Sequence, residues 1–123
     1  MSKLGNFMKK HDGEFFESSC YLTDSFKSFV SSFKRALNGD LKESDFELVS
    51  FNRGHFYLSG FLKDTSSGKF IYFSVSDVRP TADLKRVLFR TAKDEKDYTG
   101  GQNWYCSLDR LIPAAKCLLE KAA

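Results

Sequence analysis

The sequence has few of the residues on which catalytic and metal sites depend. It contains two histidines, His11 and His55, and three cysteines, Cys20, Cys106 and Cys117. No two cysteines form a C-x-x-C pair, and no cysteine lies within a few residues of a histidine, so the spacing typical of zinc ligands is missing. An odd number of cysteines also argues against a disulfide framework. We therefore expect reduced thiols, no metal and no cofactor.

A long apolar run is missing as well. No stretch approaches the ~18 apolar residues of a membrane-spanning helix. The N-terminus, which begins Met1–Gly5, also lacks the apolar stretch of roughly 7–15 residues that a signal peptide needs. We therefore expect a cytoplasmic protein that has no membrane partner. A chain of 123 residues that is 41% hydrophobic and 28% charged is typical of one folded domain, here residues 1–123. Within it, residues 1–20 are expected to form a loosely packed segment with a short helix near Lys3–Lys10.

Motifs for catalysis and nucleotide binding are also absent. A nucleophilic enzyme needs a base beside its nucleophile, and Cys106 with His55 is the one pair the sequence offers. The acidic residues of Asp94–Asp97 lie in a polar stretch typical of solvated side chains, and Thr99–Gly101 matches neither a phosphate-binding loop nor a dinucleotide turn. The net charge of +3 falls short of the basic stripe of a dedicated nucleic-acid binder. We expect no enzymatic activity.

Aromatic residues are what the sequence has in abundance, with 13 phenylalanines. Thr23 or Asp24 is a suitable N-cap, and the apolar residues that follow recur at helical spacing. These residues are Phe26, Phe29, Val30, Phe33 and Leu37. The pattern predicts an amphipathic helix that ends at Gly39 and packs its phenylalanine stripe on a sheet.

The middle of the chain has the pattern of β-structure. The predicted strands are Phe46–Phe51, His55–Lys63, Lys69–Ser76, Val87–Ala92 and Asn103–Cys106, with turns at Asn52–Gly54 and Asp64–Gly68. A final helix is predicted over Leu111–Ala122. This order predicts an α+β fold, in which an antiparallel sheet of four to five strands carries the helix from the N-terminal half and the C-terminal helix on one face.

The alternation within two of these strands also predicts their register. If Leu62 lies opposite Ile71, apolar side chains collect on one face, whereas a slip of one residue mixes polar side chains into that set. The apolar face then carries Phe56, Leu58, Gly60, Leu62, Ile71, Phe73 and Val75. The other face carries Tyr57, Ser59, Phe61, Lys63, Phe70, Tyr72 and Ser74.

The polar stretch Lys93–Asn103 is longer than an ordinary hairpin connection and precedes a Trp-Tyr pair. A plain solvated hairpin is one interpretation, and a functional loop is the other. Together with Ile71–Arg79, the stretch Arg90–Asn103 resembles small uncharacterised proteins encoded on bacterial phages, plasmids and conjugative elements. The resemblance covers residues 70–106. It implies a mobile-element setting, where small non-enzymatic proteins that block host machinery, such as anti-CRISPR-like inhibitors, are common.

Two functional hypotheses remain from the sequence. The first is an interaction protein that occupies a surface on a protein partner, since aromatic and arginine side chains dominate binding hot spots. Its candidate residues are Tyr57, Phe61, Phe70, Tyr72, Arg90, Tyr98 and Trp104. The second is a single-stranded nucleic-acid binder, whose sheet aromatics stack on bases while Arg53, Lys63, Lys69 and Arg90 neutralise phosphates. Alternatively, the more polar sheet face simply packs under the N-terminal segment.

Overall fold

A computed structural model describes residues 2–15, 23–53, 58–75, 82–98 and 101–122. It contains three α-helices and five strands within these ranges. In chain order the elements are α1 (Lys3–His11), α2 (Asp24–Leu41), β1 (Phe46–Arg53), β2 (Leu58–Asp64), β3 (Phe70–Val75), β4 (Val87–Ala92), β5 (Trp104–Cys106), a 3-10 turn (Leu108–Arg110) and α3 (Leu111–Ala122).

The five strands form one sheet in the order β1-β2-β3-β4-β5. All neighbouring strands are antiparallel, so the chain meanders from one edge of the sheet to the other. Helices α2 and α3 bury their apolar stripes in one core cluster with the sheet. The predicted α+β fold is confirmed, with five strands of the four to five expected.

The predicted register between β2 and β3 is also confirmed, because Leu62 lies opposite Ile71. Leu58, Leu62 and Ile71 belong to the core on the helix side of the sheet. We call the opposite side the second face. Its residues are Glu47, Ser50 and Asn52 in β1, Ser59, Phe61 and Lys63 in β2, Phe70, Tyr72 and Ser74 in β3, Leu88, Arg90 and Ala92 in β4, and Tyr105 in β5. Arg86, directly before β4, joins this face through its contact with the Tyr105 ring.

The phenylalanine stripe of α2 packs on the helix side of the sheet, as predicted. The ring centroid of Phe33 lies 6.0 Å from that of Phe51 and 6.4 Å from that of Phe73. The ring of Phe7 in α1 lies 5.2 Å from Phe29 and 5.7 Å from Phe33. Two helices and the sheet therefore share one aromatic core. Thr23 is the N-cap of α2, and its hydroxyl accepts a hydrogen bond from the Phe26 amide at 3.2 Å.

The prediction that α2 ends at Gly39 is wrong, because the helix continues to Leu41. The extra turn places Asp40 against the N-terminus of α1, where free backbone amides need an acceptor. The Asp40 carboxylate accepts hydrogen bonds from the amides of Lys3 at 2.9 Å and Leu4 at 2.8 Å. A contact between helices thus keeps Gly39 helical.

Residues 2–15, which include α1, pack against α2 and the 3-10 turn. Leu4 and Phe7 are buried in the core. Beyond α1, the Asp12 carboxylate accepts a hydrogen bond from the Leu84 amide at 2.8 Å, and the backbone carbonyl oxygen of Glu14 accepts one from the Ala82 amide at 3.0 Å. This part of the expected loose segment is therefore held at both of its ends, while residues 16–20 lie outside the described residues.

Strand β1 differs from its prediction in length and regularity. Asn52 and Arg53 were expected to begin a turn, but they pair with Ser59 and Leu58 and extend the strand. The pairing shifts by one residue between Leu48 and Ser50, which marks a β-bulge. This bulge decides which β1 side chains reach the second face.

Candidate functional site

Four side chains, three of them candidates from the sequence, form one row across the second face. Ser50 lies opposite Phe61, Phe61 opposite Tyr72, and Tyr72 opposite Arg90. Residues directly opposite one another in antiparallel strands project to the same side of the sheet. The register therefore joins a hydroxyl, two aromatic rings and a guanidinium in one line over four strands.

The polar stretch between β4 and β5 folds back onto this row through Tyr98. The Tyr98 ring meets the Phe61 ring at 5.2 Å and the Tyr72 ring at 5.8 Å, both edge to face. Asn52 donates a hydrogen bond to the Tyr98 hydroxyl at 3.0 Å. As a result Phe61 is fully buried, whereas Tyr98 remains 49% exposed. The stretch is therefore more than a solvated hairpin connection.

The turn that carries Tyr98 is tied by its own carboxylates. Asp94 accepts from the Lys96 amide at 2.8 Å, and Asp97 accepts from the Lys93 amide at 3.0 Å. Gly101 then returns the chain to β5 with a φ of +80°, and a Cβ there would lie 2.8 Å from the Thr91 carbonyl oxygen. Only glycine fits such a conformation at this distance without strain. The acidic residues thus shape the loop.

Arg90 ends the row in an unusual environment for a cation. Only 7% of the residue is exposed, and its guanidinium carbon lies 4.4 Å from the centre of the Tyr72 ring. Nη1 donates a 3.4 Å hydrogen bond to Asn103 Oδ1. Nε and Nη2 are buried, and in the described part of the chain they have no hydrogen-bond partner. A buried charge without its full set of partners is costly.

Other cations on the second face also lie against aromatic rings. Lys63 Nζ is 5.8 Å from the centre of the Phe70 ring, and the Arg86 guanidinium is 4.3 Å from that of Tyr105. Such pairs hold a cation on an aromatic surface. The second face thus combines aromatic rings with cations, and the acidic Glu47 lies opposite Lys63.

The structure brings together four of the predicted interaction residues: Phe61, Tyr72, Arg90 and Tyr98. Phe70 shares the second face with them but pairs with Lys63. Trp104 does not join them, because it lies opposite Phe89, a member of the core, and is therefore on the helix side. Tyr57 lies outside the described residues.

Sequence reasoning missed three contributors to the site, Ser50, Asn52 and Asn103. The bulge in β1 directs Ser50 and Asn52 to the second face, and the alternation of apolar and polar residues in the sequence does not reveal a bulge. Asn103 is predicted to begin the last strand, and the alternation of side chains in that strand does not indicate its hydrogen bond to Arg90. Among the cations of the nucleic-acid hypothesis, the Arg53 side chain lies outside the described residues.

Cys106 is a poor nucleophile in this structure. Burial, reinforced by the nearby Asp109 carboxylate, raises the pKa of its thiol to about 11, so it is protonated at neutral pH. Cys117 in α3 is exposed. His55 lies outside the described residues, and within the ranges that are described no group of three metal-ligating side chains occurs.

The different exposure of Cys106 and Cys117 predicts a difference in the reactivity of their thiols. At neutral pH, iodoacetamide should alkylate Cys117 much faster than Cys106, since the thiolate is the attacking species. Peptide mass spectrometry at several pH values measures both rates. The Cys106 rate should still be rising above pH 10, because the group titrates near its raised pKa of about 11. Equal rates at pH 7 would contradict the buried placement of Cys106.

A cavity lies on another side of the molecule. It measures about 540 Å³ and is lined by α3, the β2–β3 turn and the segment that leads into β1. Asp64 at its rim already accepts from Ser66 and Ser67, and the Ser67 hydroxyl in particular lowers the pKa of the Asp64 carboxyl. Asp64 and the two serines thus stabilise the turn, and the second face remains the stronger candidate site.

No helix in the described ranges is long and apolar enough to cross a membrane. With the fold and the second face established, comparison with known proteins adds no relative: neither a protein-family model, a curated protein nor a solved structure matches this chain.

Proposed function

We propose that this chain is a small non-enzymatic binding protein that engages a protein partner through the second face. The observation that carries the proposal is the row from Ser50 to Arg90. In it a half-exposed tyrosine covers an aromatic cluster beside a buried arginine, two of whose donors have no partner among the described residues. Tyrosine and arginine are the side chains most enriched in binding hot spots. The resemblance to mobile-element proteins supports a role as an inhibitor of host defence, comparable to anti-CRISPR proteins.

A protein partner is favoured over single-stranded nucleic acid by the state of the rings. Base stacking needs free ring faces, but Phe61 is fully buried, and Tyr72 already has Arg90 over its ring. The cations of the second face, Lys63, Arg86 and Arg90, are what favour nucleic acid as the alternative. A net charge of +3 is small, however, for a protein that follows a phosphate backbone.

Site-specific crosslinking tests the proposal. A photoreactive phenylalanine analogue at Tyr98, expressed in the native host, should crosslink to one specific protein. The same analogue at Phe15, which is 68% exposed in the N-terminal segment, is the control and should not capture that protein. Crosslinks of equal yield from both positions would contradict a role for the second face.

Affinity measurements with the identified partner then separate the two hypotheses. Tyr98→Ala should weaken binding by ~2 kcal/mol, the loss typical of a hot-spot residue, while Trp104→Ala on the helix side should change it little. Raising salt from 50 to 200 mM should have a modest effect. A thousandfold loss over that range, as expected for six or more phosphate contacts, together with competition by an oligonucleotide, would favour the nucleic-acid alternative.

A further inference from the structure

The Arg90 guanidinium is held in one orientation by the two contacts it makes. Tyr72 covers the plane of the group at 4.4 Å, and Asn103 accepts from Nη1 at 3.4 Å. The remaining donors, Nε and Nη2, are the two without a partner in the described part of the protein, and both are buried, so a ligand reaches them only when the groups that cover them move aside. In arginine these two nitrogens direct one N–H each to the same side and form a fork that fits two oxygens of one carboxylate or phosphate.

We propose that this fork binds a carboxylate of the protein partner, from an aspartate, a glutamate or a chain terminus. The inference rests on the proposed function and names the chemistry the site selects. A bidentate carboxylate would satisfy both free donors and neutralise the buried charge at once, which removes the cost of leaving them unpaired. Arg90 thereby becomes the polar anchor at the end of the aromatic row.

A carboxylate suits the site better than a phosphodiester. The fork is flanked by Tyr72 and Asn103, and the other second-face cations are engaged with rings of their own, Lys63 with Phe70 and Arg86 with Tyr105. A single guanidinium beside an aromatic ring can bind one planar anion that has two oxygens, such as a carboxylate. A nucleic-acid strand would bring a phosphate at every nucleotide and needs a track of cations.

Nuclear magnetic resonance of the full chain tests the fork directly. The Nε–H signal of Arg90 is followed while sodium formate replaces sodium chloride at constant ionic strength. It should shift and saturate, whereas the Nε–H signal of the exposed Arg86 should not. Dimethyl phosphate, titrated in the same way, should shift the Arg90 signal less. Saturation by dimethyl phosphate at lower concentration than formate would overturn the carboxylate assignment, and no saturable shift with either anion would overturn the site.

Two matched variants extend the test to the partner. Arg90→Lys keeps the positive charge but removes the fork, so it should weaken the complex roughly tenfold or more, as expected for loss of a charge-assisted hydrogen bond. Arg35→Lys, at an exposed position of α2 away from the second face, is the control and should leave the affinity nearly unchanged. Circular dichroism and the melting temperature establish that both variants are folded. Where Arg90→Lys does not fold, replacement of the partner's acidic residues by their amides gives the same test.

The outcomes distinguish this inference from the proposed function. If Tyr98 crosslinks to a protein but neither Arg90→Lys nor the loss of partner carboxylates changes the affinity, the binding role stands and the carboxylate assignment is overturned. If formate saturates the Arg90 signal but no protein is captured from the second face, the anion site stands and the proposed function fails.

Discussion

Replacing Phe33 with alanine should remove most of the stability of the protein. Phe33 is fully buried at the point where α1, α2 and the sheet meet, and its ring contacts Phe7, Phe51 and Phe73. Truncation of a buried phenylalanine costs ~3–5 kcal/mol, and the free energy of unfolding of a whole domain is ~5–15 kcal/mol. The variant should therefore show a large shift of the urea midpoint or no cooperative transition at all.

Phe15→Ala is the matched control for this experiment. It removes the same atoms from a side chain that is 68% exposed, so the free energy of unfolding should change by no more than ~0.5 kcal/mol. Urea denaturation followed by circular dichroism measures both variants. If both lose similar stability, the stripe of α2 does not pack as the structure has it.

Replacing Gly60 with alanine should be the second large effect, although it adds only one methyl group. A Cβ at this position would lie 2.6 Å from the Ser50 carbonyl oxygen and 3.0 Å from the Phe73 ring. The first of these atoms is backbone, so no change of rotamer relieves the contact, and strands β1 and β2 must move apart at the bulge. We expect a loss of about 1–3 kcal/mol, typical of overpacking in a core.

Gly39→Ala is the informative control, because a Cβ at this position would come even closer to a neighbouring atom than a Cβ at Gly60 does. A Cβ at Gly39 would overlap with Lys3 Cδ, but that atom belongs to a flexible, exposed side chain that can turn away. Alanine is also favoured over glycine inside a helix by roughly 0.5–1 kcal/mol. Thermal and urea unfolding should therefore show Gly39→Ala unchanged or more stable. The opposite ranking of the two variants would contradict the close approach of β1 and β2.

Several features of the fold follow from the sequence because they depend on short-range pattern. The spacing of Phe26, Phe29 and Phe33 predicts the buried side of α2, since a helix repeats every 3.6 residues. The alternation around Leu62 and Ile71 predicts their register, because a one-residue slip would place every side chain on the wrong face. The number of strands and the two main helices follow from the same two periods.

Features that depend on contacts between distant residues were decided by the tertiary structure. Asp40 keeps α2 helical past Gly39 because it caps a helix 36 residues away in sequence. A bulge directs Ser50 to the second face, and the pairing of β5 with β4 places Trp104 on the helix side.

The candidate site shows the same division. The sequence by itself determined that Phe61 and Tyr72 share a face, because period-two alternation is a property of each strand. Only the tertiary structure decided that Tyr98 closes over them and that Arg90 is buried with two donors that have no partner among the residues described. Burial and hydrogen-bond pairing depend on which distant groups surround a side chain, and no local pattern records those neighbours.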